Sequence, residues 1–460
     1  MSTTASTQID RARLAELTER ETRRLNDATP GSARAYEEAR TVMPKGVPSS
    51  YQTRDPHPIY LSHGRGPQVW DVDGREYRDF HNGFGCMVQG HGHPAIAKAV
   101  ADRYPLGSHF AAPTADAAIV AKELARRFNL PKWRFLNSGS EATMDAIRLA
   151  RAATGSDHIV KMEGSYHGHH DTVMVSIGVD VSGDIGPEER PKSVPYGAGI
   201  PQATVDMVHA VPFNNAAALD ARLTELDGTV ACVIMEAGMM NIGVVLPEPG
   251  YLEQVREITR RHNVILIFDE VKTGITIHEG GATGHYGVTP DLVTLAKAIG
   301  GGVPTAAIGG TEEIMQFVEN GSVYQVGTFN GNPLSMAAAK ANLLEVMTPH
   351  AYRHLDSLNA QLIQRCDEII ERYGLPAYTV GVGAKGCVTF SRTKVRNYRE
   401  WAHGTDGGLS DLAWLYNMNR GIFMTPGREE EWTLSVTHGD DDVDRFTSSF
   451  EEFAHDVTRA

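Results

Sequence analysis

Val264-Ile265-Leu266-Ile267-Phe268-Asp269-Glu270 is an unbroken apolar run closed by two carboxylic acids. No polar residue alternates with the apolar ones, so a strand here needs cover on both faces, as in a parallel sheet packed between helices. The acids fall at its C-terminal end, the edge at which open α/β sheets bind ligands. Outward from it, Val230-Ala231-Cys232-Val233-Ile234-Met235 is a second continuous run, and Asp157-His158-Ile159-Val160-Lys161-Met162 a more mixed one. Helical stretches, Glu141 to Ala153 and Tyr251 to Arg261, stand between them. Such alternation from about Gly90 to Thr328 predicts an α/β fold with a mostly parallel central sheet.

The flanks read differently. Ile9 to Ala39 is charge-rich and helical in pattern, and Met43-Pro44-Lys45-Gly46-Val47-Pro48 breaks it. Gln68 to Phe80 reads as a hairpin turning at Asp73-Gly74. Beyond Leu334 the chain becomes helical from Asn342 to Glu371 and closes in an α+β segment. A chain of 460 residues has room for a large domain and a smaller one. We expect residues 81–334 to form the large domain, 335–460 the small α+β domain, and 1–80 a segment joining that small domain. Ile177 to Gln202, rich in Gly and Pro, is expected to be a mobile gate.

Composition narrows the partners. A formal charge of −14, with no offsetting basic stripe, argues against nucleic acid. No apolar run is long enough to span a bilayer, and the first residues lack the apolar core of a signal peptide, so the expected location is the cytoplasm. Cys86, Cys232, Cys366 and Cys387 are scattered with no CxxC pair, which suits buried free thiols rather than disulfides or a metal site.

Several residues carry chemistry. Asp269 at a strand end could pair with a protonated ring nitrogen, although a helix cap or loop acid is the plainer reading of one such residue. Lys297 follows the predicted strand around Leu292 and precedes Gly300-Gly301-Gly302, which would let backbone approach a ligand closely. An amine partly desolvated there can attack an aldehyde, whereas an isolated lysine after an apolar run usually snorkels to the surface. Asn137-Ser138-Gly139-Ser140 heads the helix from Glu141, and helix N-termini bind phosphate. Simple capping by Ser138 or Ser140 is the structural alternative. In Gly164-Ser165-Tyr166-His167-Gly168-His169-His170 the tyrosine could stack on a planar ring, and the histidines are weak evidence for a metal.

These motifs, in this order, resemble the class III, fold type I, pyridoxal-phosphate (PLP) aminotransferases, and within them the glutamate-1-semialdehyde 2,1-aminomutase-like subgroup. The resemblance runs from about Met43 to about His438. Arg134 to Ala142, Glu163 to His169, Phe268 to Gly274 and Gly327-Thr328-Phe329-Asn330-Gly331-Asn332-Pro333 carry it. It implies an enzyme with PLP as cofactor, held as a Schiff base by Lys297, which would also shuttle the proton. Asp269 would bind the pyridine nitrogen, with Tyr166 on one ring face and Val271 on the other. Ser138, Gly139 and Ser140 would hold the phosphate, and Thr328 would reach it from the neighbouring subunit of a homodimer with shared active sites. His167 would sit beside the ring, and Glu236 takes the place of the family's Glu-Pro, with Ala237 replacing the proline.

The substrate side departs from the subgroup. Its early loop resembles Gly-Val-Asn-Ser-Pro-Val-Arg, the arginine gripping the substrate carboxylate, whereas this chain reads Gly46-Val47-Pro48-Ser49-Ser50-Tyr51-Gln52. Gln52 cannot replace a bidentate guanidinium, and Arg54 is the candidate to compensate. Phe84 stands where the subgroup has tryptophan. Tyr51, Gln52, Arg54 and Phe84 are therefore expected at the pocket, with Arg428 to recruit a carboxylate and Glu430 an amine. The expectation is a transaminase working between an amine or amino acid, α or β, and a carbonyl acceptor. Glutamate-1-semialdehyde 2,1-aminomutase is the first alternative. Another fold-type-I PLP enzyme (decarboxylase, racemase or epimerase) is the second. A non-catalytic relative should have lost Lys297 or Asp269, and both are present.

Overall fold

The computed structural model describes residues 9–425 and 431–459. The early hairpin comprises β1 (Leu61–Arg65), β2 (Gln68–Asp71) and β3 (Glu76–Asp79). Then come β4 (Lys132–Leu136), β5 (His158–Met162), β6 (Val208–Val211), β7 (Val230–Met235), β8 (Ile265–Asp269), β9 (Leu292–Leu295) and β10 (Ala306–Gly310). The C-terminal part adds β11 (Tyr378–Val382), β12 (Lys385–Thr389), β13 (Ile422–Phe423) and β14 (Glu431–Thr433).

The central sheet is seven-stranded in the order β4-β10-β9-β8-β7-β5-β6. β7 and β8 are buried at every position, which is why both read as continuous apolar runs. β10 alone runs antiparallel to its neighbours. Only residues 296–305 separate it from β9, fewer than the roughly dozen that a parallel crossover requires. The fold is therefore α/β with a mostly parallel central sheet, as expected. β13 pairs in parallel with β3, so the C-terminal part extends the N-terminal hairpin. A separate sheet has the order β11-β12-β14.

Prolines cut two of the expected helices. The segment expected to be one helix is two, Arg11–Ala28 and Pro30–Ala39. Pro30 has no N–H to continue the first ladder and suits the first turn of the second. Likewise the helix expected from Asn342 begins as Pro333–Ala341, widens into a π turn at Asn342–Val346 and restarts as Pro349–Tyr373.

Residues 177–202, expected to be a mobile gate, are tethered at Val179, Ile185 and Gly186. Tyr398 Oη donates to the Val179 carbonyl (2.6 Å), and Arg399 Nη1 and Nη2 donate to the carbonyls of Gly186 and Ile185. Arg399 also forms a buried ion pair with Glu163 at 2.9 Å. The helix Tyr398–Gly404 thus pins this segment against the end of β5. Among the described residues, no helix is long and apolar enough to cross a membrane.

Candidate active site

Successive side chains on a strand point to opposite faces, and Asp269 and Glu270 part company at the end of β8. Asp269, 4% exposed, accepts from His167 Nδ1 at 2.7 Å through Oδ2 and from the Val271 N–H at 3.0 Å through Oδ1. A carboxylate only accepts, so Nδ1 of His167 carries the proton and Nε2 is a bare acceptor. Burial pushes the His167 pKa down, which agrees with a neutral ring. Its Nε2 has no hydrogen-bond partner among the described residues. Glu270 faces away and accepts from the Ala282 N–H and from the N–H and Oγ1 of Thr283.

Lys297 opens a 3₁₀ turn directly after β9 with φ +48°, a left-handed conformation costly for a non-glycine residue. The three following glycines are packed closely. A Cβ on Gly300 would stand 2.8 Å from Thr305 Oγ1, and Gly301 and Gly302 both have positive φ. Burial, aided by the charge of Lys272, holds the Lys297 amine below the ordinary lysine range. The amine is therefore the kind of nucleophile an aldehyde requires.

Ser138 is the N-cap of the helix Gly139–Thr154. Its Oγ accepts from the Glu141 N–H at 3.2 Å, and Glu141 Oε2 accepts from the Ser138 N–H at 2.8 Å. The capping alternative thus describes the Ser138 side chain. Gly139 and Ser140 stand in the first turn, where no carbonyl of the helix reaches their N–H groups. A Cβ on Gly139 would lie 3.0 Å from Val271, so only glycine lets that turn come against the strand-end loop. His169 and His170 are spent on this helix start. His169 Nδ1 is 3.0 Å from Ser140 Oγ, and His170 Nε2 is 3.2 Å from Thr143 Oγ1.

Tyr166 is 37% exposed, beside Asp269, Tyr51 and Lys272, and burial raises its pKa. Glu236, just past β7, accepts from the Met240 N–H and from Asn241 Nδ2, and burial raises its pKa to about 7. Thr328 lies exposed in a turn; two residues on, Asn330 Oδ1 accepts from Asn137 Nδ2 at 3.0 Å, which brings this loop to the helix start.

On the substrate side, Tyr51 meets Phe84 edge-on, ring centroids 5.1 Å apart. Gln52 Oε1 accepts from the Ser49 N–H at 3.1 Å, closing a local capping box. Arg54 does not take over the arginine's task. Its Nη2 pairs with Asp411 at 3.0 Å and its guanidinium lies 4.2 Å from the centre of the Trp414 ring. Arg428 and Glu430 lie outside the described residues.

Sequence reasoning missed a buried charge network beside these groups. Lys272 Nζ pairs with Glu431 Oε1 at 2.9 Å and lies 5.8 Å from the centre of the Phe84 ring. Lys385 Nζ reaches the same oxygen at 3.5 Å and donates to Thr433 Oγ1 at 3.0 Å. Lys272 sits within the quoted Phe268–Gly274 motif, so the signal was a cation directly behind the site acids. Lys385 and Glu431 are more than 100 positions further along the chain, and their spacing announces nothing.

Comparisons with known proteins bear on the family. The family model described as aminotransferase class-III matches residues 50–411. A glutamate-1-semialdehyde 2,1-aminomutase 2 of Brevibacillus brevis is 37% identical over 419 residues, covering 90% of this chain and 96% of that protein. A crystal structure of a glutamate-1-semialdehyde aminomutase from Pseudomonas aeruginosa, in complex with PMP, superposes with a TM-score of 0.89 at 33% identity, covering 98% of this chain and 99% of that one. An omega-transaminase from Sphaerobacter thermophilus gives 0.88 at 33% identity, covering 93% and 97%. With the lysine, the strand-end aspartate and the helix start brought to one edge of the sheet, the chain belongs to the class-III aminotransferases, enzymes whose cofactor is pyridoxal 5′-phosphate.

Proposed function

We propose that this enzyme moves an amino group at a carbon of a carboxylate-bearing small molecule, with Lys297 as the proton-carrying catalytic residue. The observation that carries the reading is a lysine amine held below its ordinary pKa at the same sheet edge as a buried carboxylate. The residues present fit the cofactor. Lys297 offers an amine for its aldehyde, Asp269 an anion for its ring nitrogen, and Gly139 and Ser140 N–H groups for its phosphate. Tyr166 and Val271 would flank the ring, and Thr328 of a second copy would complete the phosphate site of a homodimer. When bound, pyridoxal phosphate supplies an electron sink for the carbanion formed at the substrate carbon. Asp269 keeps that sink cationic, His167 holds Asp269 in place, and Lys297 Nζ moves the proton.

Within this chemistry the names of the relatives support intramolecular transfer, the glutamate-1-semialdehyde 2,1-aminomutase reaction. One structural observation favours a second reading, transamination to an external acceptor: Gln52 and Arg54 are both spent on local contacts, so neither supplies the subgroup's carboxylate clamp. The omega-transaminase likeness accords with it. The two differ in whether the intermediate is retained, which is a matter of fit rather than of catalytic residues. Incubating holoenzyme with glutamate-1-semialdehyde and no acceptor decides between them. Efficient formation of 5-aminolevulinate supports the aminomutase, and amino transfer that requires an added keto acid supports the transaminase. Lys297→Ala should abolish either activity.

A further inference from the structure

A lysine is almost never buried whole, because its ammonium group is costly to take out of water. Lys161 is 0% exposed. It stands in β5 opposite Ala210 of β6 and Ile234 of β7, so apolar strands enclose it on both sides. Its Nζ donates to the Ser165 carbonyl at 2.8 Å and to the Val175 carbonyl at 2.7 Å. Burial pushes the amine down to about 7, against the pull of Glu236 and Glu163. Protonated or neutral, it keeps the two N–H groups that two carbonyls need.

Those carbonyls lie on opposite limbs of the loop that leaves β5, which the Gly164 N–H closes by donating to the Ser176 carbonyl at 2.8 Å. Tyr166 and His167 directly follow Ser165 on the first limb. From the other side, Thr143 Oγ1 of the helix Gly139–Thr154 donates to the His167 carbonyl at 2.6 Å. A Cβ on Gly168 would stand 2.6 Å from Ser140 Oγ, so the loop is pressed against that helix start. Ser165 and Val175 are both 0% exposed, and without Lys161 Nζ their carbonyls would have to turn toward water. We propose that Lys161 is a positioning residue of the cofactor site: by clamping the Ser165 and Val175 carbonyls it fixes the backbone that sets Tyr166 against the cofactor ring. His167 has a second anchor in Asp269 at 2.7 Å, so the effect falls on Tyr166. The inference rests on the placement of Tyr166 beside the ring, and not on which amine or acid is the substrate.

The test is a double-mutant cycle on holoenzyme. Its readouts are cofactor release on dilution, followed by visible absorption, and the visible circular dichroism of the bound cofactor. Lys161→Met, which has no donor, should speed release about fivefold, the scale of a lost ring contact, and diminish the dichroism. Tyr166→Leu should do the same. In the double variant Lys161→Met should add nothing to Tyr166→Leu, since the clamp acts through the ring. Lys161→Gln keeps two N–H donors and should fall between Lys161→Met and the unaltered enzyme. If Lys161→Met does not fold, Lys161→Gln takes its place in the cycle. Unchanged release and dichroism in the position-161 variant overturn the proposal, even if its unfolding midpoint falls, because the lysine then serves stability alone. An undiminished effect in the Tyr166→Leu background overturns it too. If Tyr166→Leu alone moves neither signal, the tyrosine does not flank the ring and the inference falls, while turnover of amino donors by the unaltered enzyme and by Lys297→Ala still tests the amino-transfer reading.

Discussion

Glu236 shows what burial does to a single carboxyl group. It is 3% exposed, and burial, with the charge of Asp269, raises its pKa from 4.5 to about 7. The folded state therefore holds a proton that the unfolded chain releases above about pH 4.5. The stability this confers is complete below that pH and is lost as pH rises through about 7. Glu236→Gln keeps the shape and removes the titration. Its stability relative to the unaltered protein should grow between pH 4.5 and 7 by up to about 3 kcal/mol and then level off. Urea unfolding of both proteins at pH 5 and pH 8 measures this, and a gap of the same size at both would mean the carboxyl group ionises normally. Taken one by one, Asp269, Lys297 and Ser138 each admit a plainer structural reading, and only their combination in order, through the family resemblance, pointed to a cofactor site. The network of Lys272, Lys385 and Glu431 was not legible, because each of its members reads alone as an ordinary surface charge.

Glu270 governs an element. Its buried carboxylate gathers the Ala282 and Thr283 N–H groups (2.5 and 2.8 Å) together with Oγ1 of Thr283 and of Thr273. It thereby fastens the start of the helix Gly281–Tyr286 to the end of β8. Gly281, with φ +58°, is part of the fit, since a Cβ there would lie 2.0 Å from Glu270 Oε2. Glu270→Gln replaces an accepting oxygen by a donating amide nitrogen and leaves an N–H opposed to it. A loss of about 1–3 kcal/mol in urea unfolding is expected, with the visible absorption of bound cofactor retained. An unchanged midpoint would show that this helix is held by packing alone. Both acids ending β8 read alike in sequence, and the strand's alternation sends one to the site and the other to the scaffold.

At the scale of the molecule, the pair Arg399–Glu163 joins the helix Tyr398–Gly404 to the loop beyond β5. The side chains are 11% and 2% exposed. Removing the arginine leaves a buried carboxylate unpaired and two carbonyls without donors. Arg399→Ala should cost about 3–5 kcal/mol and admit protease within residues 177–202 under conditions where the unaltered protein resists. Identical digestion patterns would show that the segment opens independently of this anchor. The expectation of a mobile gate came from Gly and Pro content, which reports local freedom of the chain and is silent about a distant arginine.

The sequence alone determined the α/β alternation, because covered strands and amphipathic helices leave apolar periods that any window displays. Through the resemblance carried by its motifs in order, it also pointed to the family and so to the cofactor, although each residue alone admits a structural reading. Tertiary structure alone decided that Arg54 is committed to Asp411 and Trp414, that residues 177–202 are tied down, and that Lys272, Lys385 and Glu431 share one buried site. Each of these depends on which distant segments meet. Desolvation and charge pairing act through space, so the character of a lysine or an arginine is settled only when the fold brings its partners to it.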